Sequence, residues 1–290
     1  MTAGSSPLWK PFNHAENEPF LWKQGQRAAL LIHGFAGTPA EMRALGGLLN
    51  NAGWTVHAPL LPGFGPEIET LPDRSYQEWV QTVRTACESL QREHETILLV
   101  GNSMGGALAL RLAEENLPAG MVLLAPFICF AVWWHNLLWP AVRRFVPELK
   151  PFQHADFSSP QVRRMVRRMC DGANPDDAAV QQHLRAIGVS IRALDQLKQL
   201  GRSAFIVAPR VNTETLILQG RHDLLVSPNS TRTLARRFPN PPQYLEFDGG
   251  HDLVEPEGPA WPDVARHVLG FAQGLTLRTS RERASCTRNA

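Results

Sequence analysis

The chain of 290 residues has no paired cysteines, no low-complexity tract and little net charge. Its four cysteines, Cys87, Cys129, Cys170 and Cys286, are scattered and form no C-x-x-C pair. That argues against a disulfide framework and for reduced thiols in a cytoplasmic setting. A formal net charge of only +2 gives no basic surface for nucleic acid. Ten histidines occur, but none sits in H-E-x-x-H or another ligand spacing, so no metal is implied. No G-x-G-x-x-G accompanies a strand pattern, which removes the usual dinucleotide signal, and no cofactor is expected. Residues 1–17 lack an apolar run behind basic residues and a small-residue cleavage site, so no signal peptide is read there. Residues 116–142 contain no Asp, Glu, Lys or Arg, yet Pro118, Pro126, Pro140, His135 and Asn136 would interrupt a membrane span. A buried strand running into an apolar loop or helix explains that stretch better.

What is present is a hydrophobic fraction of 43%, enough for a soluble globular protein. Short apolar runs at 28–32, 55–61, 96–100, 121–124, 215–218 and 243–247 read as strands. They are continuous rather than alternating, as parallel strands covered on both faces should be. Helical patterns separate them. Thr38-Pro39-Ala40-Glu41 reads as a capping box with proline at the first helical position, and Ser75 with Glu78 reads as a second. The second opens a helix that places Trp79, Val83, Ala86, Cys87 and Leu90 on one face, and Val264, Val268, Phe271 and Leu275 keep helical spacing behind Pro262. Strands alternating with helices predict an α/β fold with a mostly parallel central sheet flanked by helices. The alternation breaks at about 127–201, too long for a simple connection, so an inserted helical cap is expected there. Residues 1–19 read as an N-terminal extension, 20–278 as the domain, and 279–290 as a disordered tail.

The strongest local signal is Gly101-Asn102-Ser103-Met104-Gly105-Gly106, placed after one strand and before a helical pattern. In that context G-x-S-x-G is a nucleophile elbow: glycines two residues either side of the serine remove collisions in a strained turn. A serine hydroxyl also needs a base to take its proton and a carboxylate to orient the base. Asp223 follows the strand at 215–218, and His251 follows the strand at 243–247. Ends of parallel strands converge at the carboxyl edge of the sheet, where such folds bind ligands. The order Ser103, Asp223, His251 therefore reads as a catalytic triad. Oxyanion donors are expected from the N–H groups of Met104 and of the loop His33-Gly34-Phe35-Ala36-Gly37, with Phe35 the better donor. His33 fails as the base on chain order and is expected to be structural. Asp248 could replace Asp223 only if the latter were misplaced, and Asp252 reads as a solvated or capping residue.

The segments Leu31-Ile32-His33-Gly34-Phe35, Gly101 to Gly106, Gly220-Arg221-His222-Asp223 and Gly250-His251 resemble the α/β-hydrolase superfamily. Within it they are most similar to bacterial carboxylesterases and monoacylglycerol lipases. The resemblance spans about residues 30–273, with the insertion matching only in position. It implies Ser103 as nucleophile, Asp223 as acid, His251 as base, and Phe35 and Met104 as oxyanion donors. It also implies a cap between the sixth and seventh strands. Pro62-Gly63-Phe64-Gly65 departs from relatives, which often carry histidine in place of Phe64, and the change is expected to touch substrate preference rather than chemistry.

The activity expected from the resemblance is hydrolysis of carboxylic esters of small-molecule or lipid substrates. Thioesterase, amidase or peptidase action on the same triad stays open, as does a binding homologue without catalysis. Phe130, Trp133, Trp134 and Leu137 in the apolar start of the insertion are expected to bind substrate, against the plainer reading that they pack the cap onto the core. Val162, Met165, Val166 and Met169 alternate with Arg163, Arg164, Arg167 and Arg168. That pattern permits weak membrane-surface contact, although such arginines are more often a solvated face.

Overall fold

The inner strands of the central sheet bury both faces, which is why their runs in the sequence are unbroken, whereas the two edge strands stay partly exposed. The computed structural model describes residues 12, 14–115, 118–130, 144–150, 152–159, 162–163, 166 and 174–286, with side chains described as far as 277. The central strands are β1 (Phe20–Trp22), β2 (Arg27–Ile32), β3 (Trp54–Ala58), β4 (Thr96–Asn102) and β5 (Gly120–Leu124), followed after the insertion by β8 (Thr215–Gly220) and β9 (Gln243–Phe247). They lie in the order β1-β3-β2-β4-β5-β8-β9, all parallel except β1, which runs antiparallel to β3.

Alternate residues of β4 show how the layers are divided. Ile97 and Leu99 face a cluster built with α2 (Tyr76–Glu93), α3 (Met104–Glu115) and α5 (Ile191–Val207). Leu98 and Val100 face the opposite cluster, built with α1 (Arg43–Asn51) and α7 (Trp261–Cys286). A strand's two-residue period feeds both layers only if nearly every residue is apolar. The Ser75–Glu78 capping box is formed, and Trp79, Val83, Ala86, Cys87 and Leu90 are buried as their spacing predicts. β1 was not legible, because three residues carry no measurable period. It is held instead by ring stacking of Phe20 on Trp22 at 4.2 Å and by the Arg43 guanidinium 4.6 Å over Phe20.

The inserted segment joins β5 to β8, directly after the strand that follows the Ser103 turn. Its described parts are not purely helical. β6 (Glu148–Leu149) and β7 (Val189–Ser190) form an antiparallel ribbon beside α4 (Ala178–Ala186), with a small core of Phe157, Val166, Val180 and Leu184. The boundary expected at about 201 falls inside α5. The face of that helix bearing Leu194, Leu197, Leu200 and Ala204 belongs to the main core, so α5 is a core helix that follows the cap. Past α6 (Pro228–Ala235), helix α7 continues to Cys286, where the sequence reading expected a structureless tail from 279. No proline or glycine occurs at 279–286, and Arg, Glu and Ala there favour continuation of a helix already nucleated against the sheet. Among the described residues no helix is long and apolar enough to cross a membrane.

His33, just past β2, is fully buried and binds at both nitrogens. Its Nδ1–H donates to the Gly34 carbonyl at 2.9 Å, while Nε2 accepts the Leu61 N–H at 3.2 Å. It is thus a structural tie between two loops rather than a base. Burial lowers its pKa from 6.5 to about 4, with the bond to Gly34 opposing only in part. The unfolded chain takes up a proton near pH 6.5, but the native state refuses it until about pH 4. Stability therefore drops as pH falls through that window and levels off below it. The integrated loss is about 3 kcal/mol at most. We expect His33→Gln to be less stable than wild type at pH 7 and the gap to narrow towards pH 4, read from urea unfolding at stepped pH. A gap independent of pH would show that His33 is not held neutral.

Candidate active site

The turn between β4 and α3 puts Ser103 in the left-handed region, at φ +52°. For a residue with a Cβ this costs roughly 1–3 kcal/mol and persists only where neighbours over-determine it. Here they do. The Ser103 N–H donates to the Leu124 carbonyl at 2.8 Å, and the Ser103 carbonyl accepts the N–H groups of Gly106 and Phe127, each at 3.0 Å. The motif glycines are needed for space: a Cβ at Gly101 would run into the Gly105 carbonyl, and one at Gly105 into the Ile32 carbonyl.

Asp223 and His251, from the loops after β8 and β9, are brought together, with Nδ1 of His251 2.7 Å from Oδ2 of Asp223. The carboxylate is buried and well supplied with donors. Oδ1 accepts the N–H groups of Leu225 and Val226, both at 2.9 Å, and Oδ2 also accepts Nε2 of Gln219 at 3.0 Å. Burial alone would raise the pKa of Asp223. The hydrogen bond and charge of His251, with the Val226 and Leu225 N–H groups, outweigh burial and hold it below the ordinary carboxylate range. Sequence reasoning missed Gln219, which is fully buried and accepts the Thr231 hydroxyl at 2.7 Å on its other atom. A polar residue ending an apolar strand was the available signal. Asp223 fixes Nδ1 as the protonated nitrogen of His251, which leaves Nε2 as the proton acceptor. Among the described residues Ser103 and His251 share no hydrogen bond with each other, and such catalytic bonds often form only once substrate is bound.

The loop after β2 lies against the nucleophile, since a Cβ on Gly34 would sit 3.4 Å from that of Ser103. Ala36 in this loop has φ +60°. Met104 opens α3, and among the described residues neither the Met104 nor the Phe35 N–H meets a protein acceptor. Glu41 behaves differently from the capping residue expected of it. Thr38 caps through the Ala40 N–H, whereas the Glu41 carboxylate accepts the Gly34 N–H and, at 3.0 Å, Nδ2 of Asn102. Phe64 is fully buried and packs edge-on against His33 at 5.3 Å and Phe35 at 5.6 Å. Its ring therefore packs against the loop that carries Phe35.

The rival acid is accounted for. Asp248 is exposed and sits 3.0 Å from the exposed His222, away from the Asp223–His251 pair. Asp252 is exposed. Phe130 is half-buried, 5.1 Å from Phe127 and packed against the main core, while Trp133, Trp134 and Leu137 lie outside the described residues. Of the basic segment, Arg163 is paired with Asp176 through its two terminal guanidinium nitrogens and Val166 is buried, whereas Arg164, Arg167 and Arg168 lie outside the described residues. Among the described residues no cluster of His, Cys, Asp and Glu could hold a metal ion.

The chain is 40% identical over 99 residues to a thermostable monoacylglycerol lipase of Bacillus sp. (strain H-257), a match spanning 34% of this chain and 40% of that lipase. It is 25% identical over 242 residues to a carboxylesterase of Bacillus subtilis (strain 168), covering 82% of this chain and 89% of that one. A solved structure of a metagenome-derived lipolytic enzyme superposes with a TM-score of 0.71 at 22% identity, over 90% of this chain and 98% of the other, and so shares the fold. The model of the serine aminopeptidase S33 family matches residues 23–254, and the chain belongs to that family of α/β-hydrolases.

Proposed function

We propose that the protein hydrolyses carboxylic esters through an acyl-enzyme on Ser103, with no cofactor. The pairing of buried Asp223 with half-buried His251, set at the same sheet edge as a strained Ser103, is the observation that carries this reading. Ser103 Oγ attacks the ester carbonyl as Nε2 of His251 takes its proton, and the oxyanion is received by the Phe35 and Met104 N–H groups. Collapse of the tetrahedral adduct breaks the C–O bond, and the departing alcohol takes the proton from His251. Water then attacks the acyl-enzyme, giving a proton to the same nitrogen, and the acid leaves as Ser103 is reprotonated. Asp223 holds the tautomer and stabilises the imidazolium.

The family includes peptide-bond hydrolysis in its description, while the two relatives above are an ester hydrolase and a glyceride lipase. That favours esters, including monoacylglycerols, over amides, and a matched panel of ester, thioester and amide substrates separates these readings. A binding protein without catalysis is disfavoured, because all three triad residue types are present. A cytoplasmic location is proposed on the scattered cysteines, of which Cys87 and Cys129 are free thiols. Membrane-surface contact through the cap is less well supported, given the Arg163–Asp176 pair.

Ser103→Ala is expected to abolish turnover of short p-nitrophenyl esters while leaving the melting temperature near wild type. A fluorophosphonate should label wild type at Ser103, and labelling of the alanine variant at a different serine would overturn the assignment. Asp223→Asn should lower kcat by about 10⁴, the scale for a buried triad acid. Asp248→Asn should change it little, and the reverse order would move the acid to Asp248.

Phe130, Trp133, Trp134 and Leu137 are proposed as the acyl wall. Each buried methylene is worth about 0.8 kcal/mol, so truncating a contacting side chain should cost long-chain esters more than short ones. The ratio of kcat/KM for C12 over C2 esters in the four alanine variants reads this directly. A ratio unchanged in all four would place the acyl chain elsewhere.

A further inference from the structure

Glu41 is an acidic residue whose carboxylate reaches into the site from the turn before α1. It accepts from two elements that the reaction must hold together. One donor is the Gly34 N–H, the peptide immediately before Phe35; the other is Nδ2 of Asn102, the residue immediately before Ser103. Both bonds go to the same oxygen, Oε1. The second oxygen lies against Gly37, where a Cβ would collide with it. Asn102 is itself buried at the end of β4. We propose that Glu41 is a positioning residue of the reaction, tying the Phe35 loop to the nucleophile turn and so setting the separation of the two oxyanion donors. The proposal rests on the ester-hydrolase reading with Ser103 as nucleophile.

The charge on Glu41 cannot be the useful property, because an anion near a developing oxyanion raises its energy. What it supplies is one acceptor oxygen shared by two donors, a duty that an amide oxygen in the same place can also perform. The loop it restrains is tight, with Ala36 in a left-handed conformation and the Gly37 N–H closing on the Gly34 carbonyl at 3.2 Å. Small misplacement of an oxyanion donor costs transition-state binding more than substrate binding, so kcat should carry the effect.

The test compares Glu41→Ala, Glu41→Gln, Asn102→Ala and the double alanine variant, using p-nitrophenyl acetate and a trifluoromethyl ketone as transition-state mimic. End-point fluorophosphonate labelling counts folded sites, so rates are expressed per labelled serine. We expect Glu41→Ala to lose about 10- to 100-fold in kcat with KM within about threefold, and inhibitor affinity to fall in parallel with kcat/KM. The acidic limb of the kcat/KM profile should keep its midpoint. Glu41→Gln, which keeps an acceptor oxygen and loses the charge, should recover most of the rate. The double variant should be no worse than the poorer single one. Full kcat in Glu41→Ala overturns the proposal, as does a Gln variant as impaired as Ala with a shifted acidic limb, which would mean that the charge acts directly. Should the alanine variant fail to fold, the Gln and Asn102→Ala variants decide by the same criteria. Wild type that is not labelled at Ser103 would instead defeat the ester-hydrolase reading itself.

Discussion

The hydrogen bond from the Ser103 N–H to the Leu124 carbonyl fixes the site to the sheet. Ladder register pairs Asn102 with Leu124, so the last residue of β4 and the last of β5 end side by side. The Ser103 N–H bond to Leu124 is the last bond of that parallel ladder, and the chain turns sharply straight after it. That turn is the left-handed conformation of Ser103, and the Phe127 N–H returning to the Ser103 carbonyl closes it from the other side. The strain of the turn is therefore carried by sheet pairing, the most rigid element available. Everything else in the site is arranged around a serine whose position is settled by two buried strands.

Electrostatics follow a similar economy. One carboxylate, Asp223, is kept ionised in a buried place by the imidazole and by backbone N–H groups that cannot reorient. The other buried imidazole beside the site, His33, is kept neutral by the same low polarity. Two histidines close to one sheet edge thus have opposite duties. The one with a carboxylate partner can accept a proton in the reaction, and the one with only a carbonyl and an amide cannot.

The Ser103 turn and the Asp223–His251 contact were legible because each depends on local chemistry: glycines flanking a serine, and polar residues just past the ends of apolar runs. The sheet and its helical layers followed from unbroken strand patterns. Glu41 shows where such reasoning stops. Thr38 to Glu41 matches a helix-start motif, and the same four residues serve equally when the glutamate turns away to Gly34 and Asn102, because only tertiary distance separates the two outcomes. β1 was too short to show a period, and its place depends on pairing with β3, 34 to 38 residues further along the chain. α5 looked like part of the cap because a helix carries no mark of which body its apolar face will join.

Gly220 and Gly250 touch, since a Cβ on Gly220 would strike the Gly250 carbonyl and the His222 N–H already binds the Gly249 carbonyl at 2.9 Å. The loops bearing Asp223 and His251 are consequently one mechanical part with two attachments to the sheet. A disturbance at either attachment moves Asp223 and His251 together, preserving their mutual distance while changing their aim at the serine. Damage to this region would thus take the form of a well-made proton relay pointed slightly wrong, rather than a broken one.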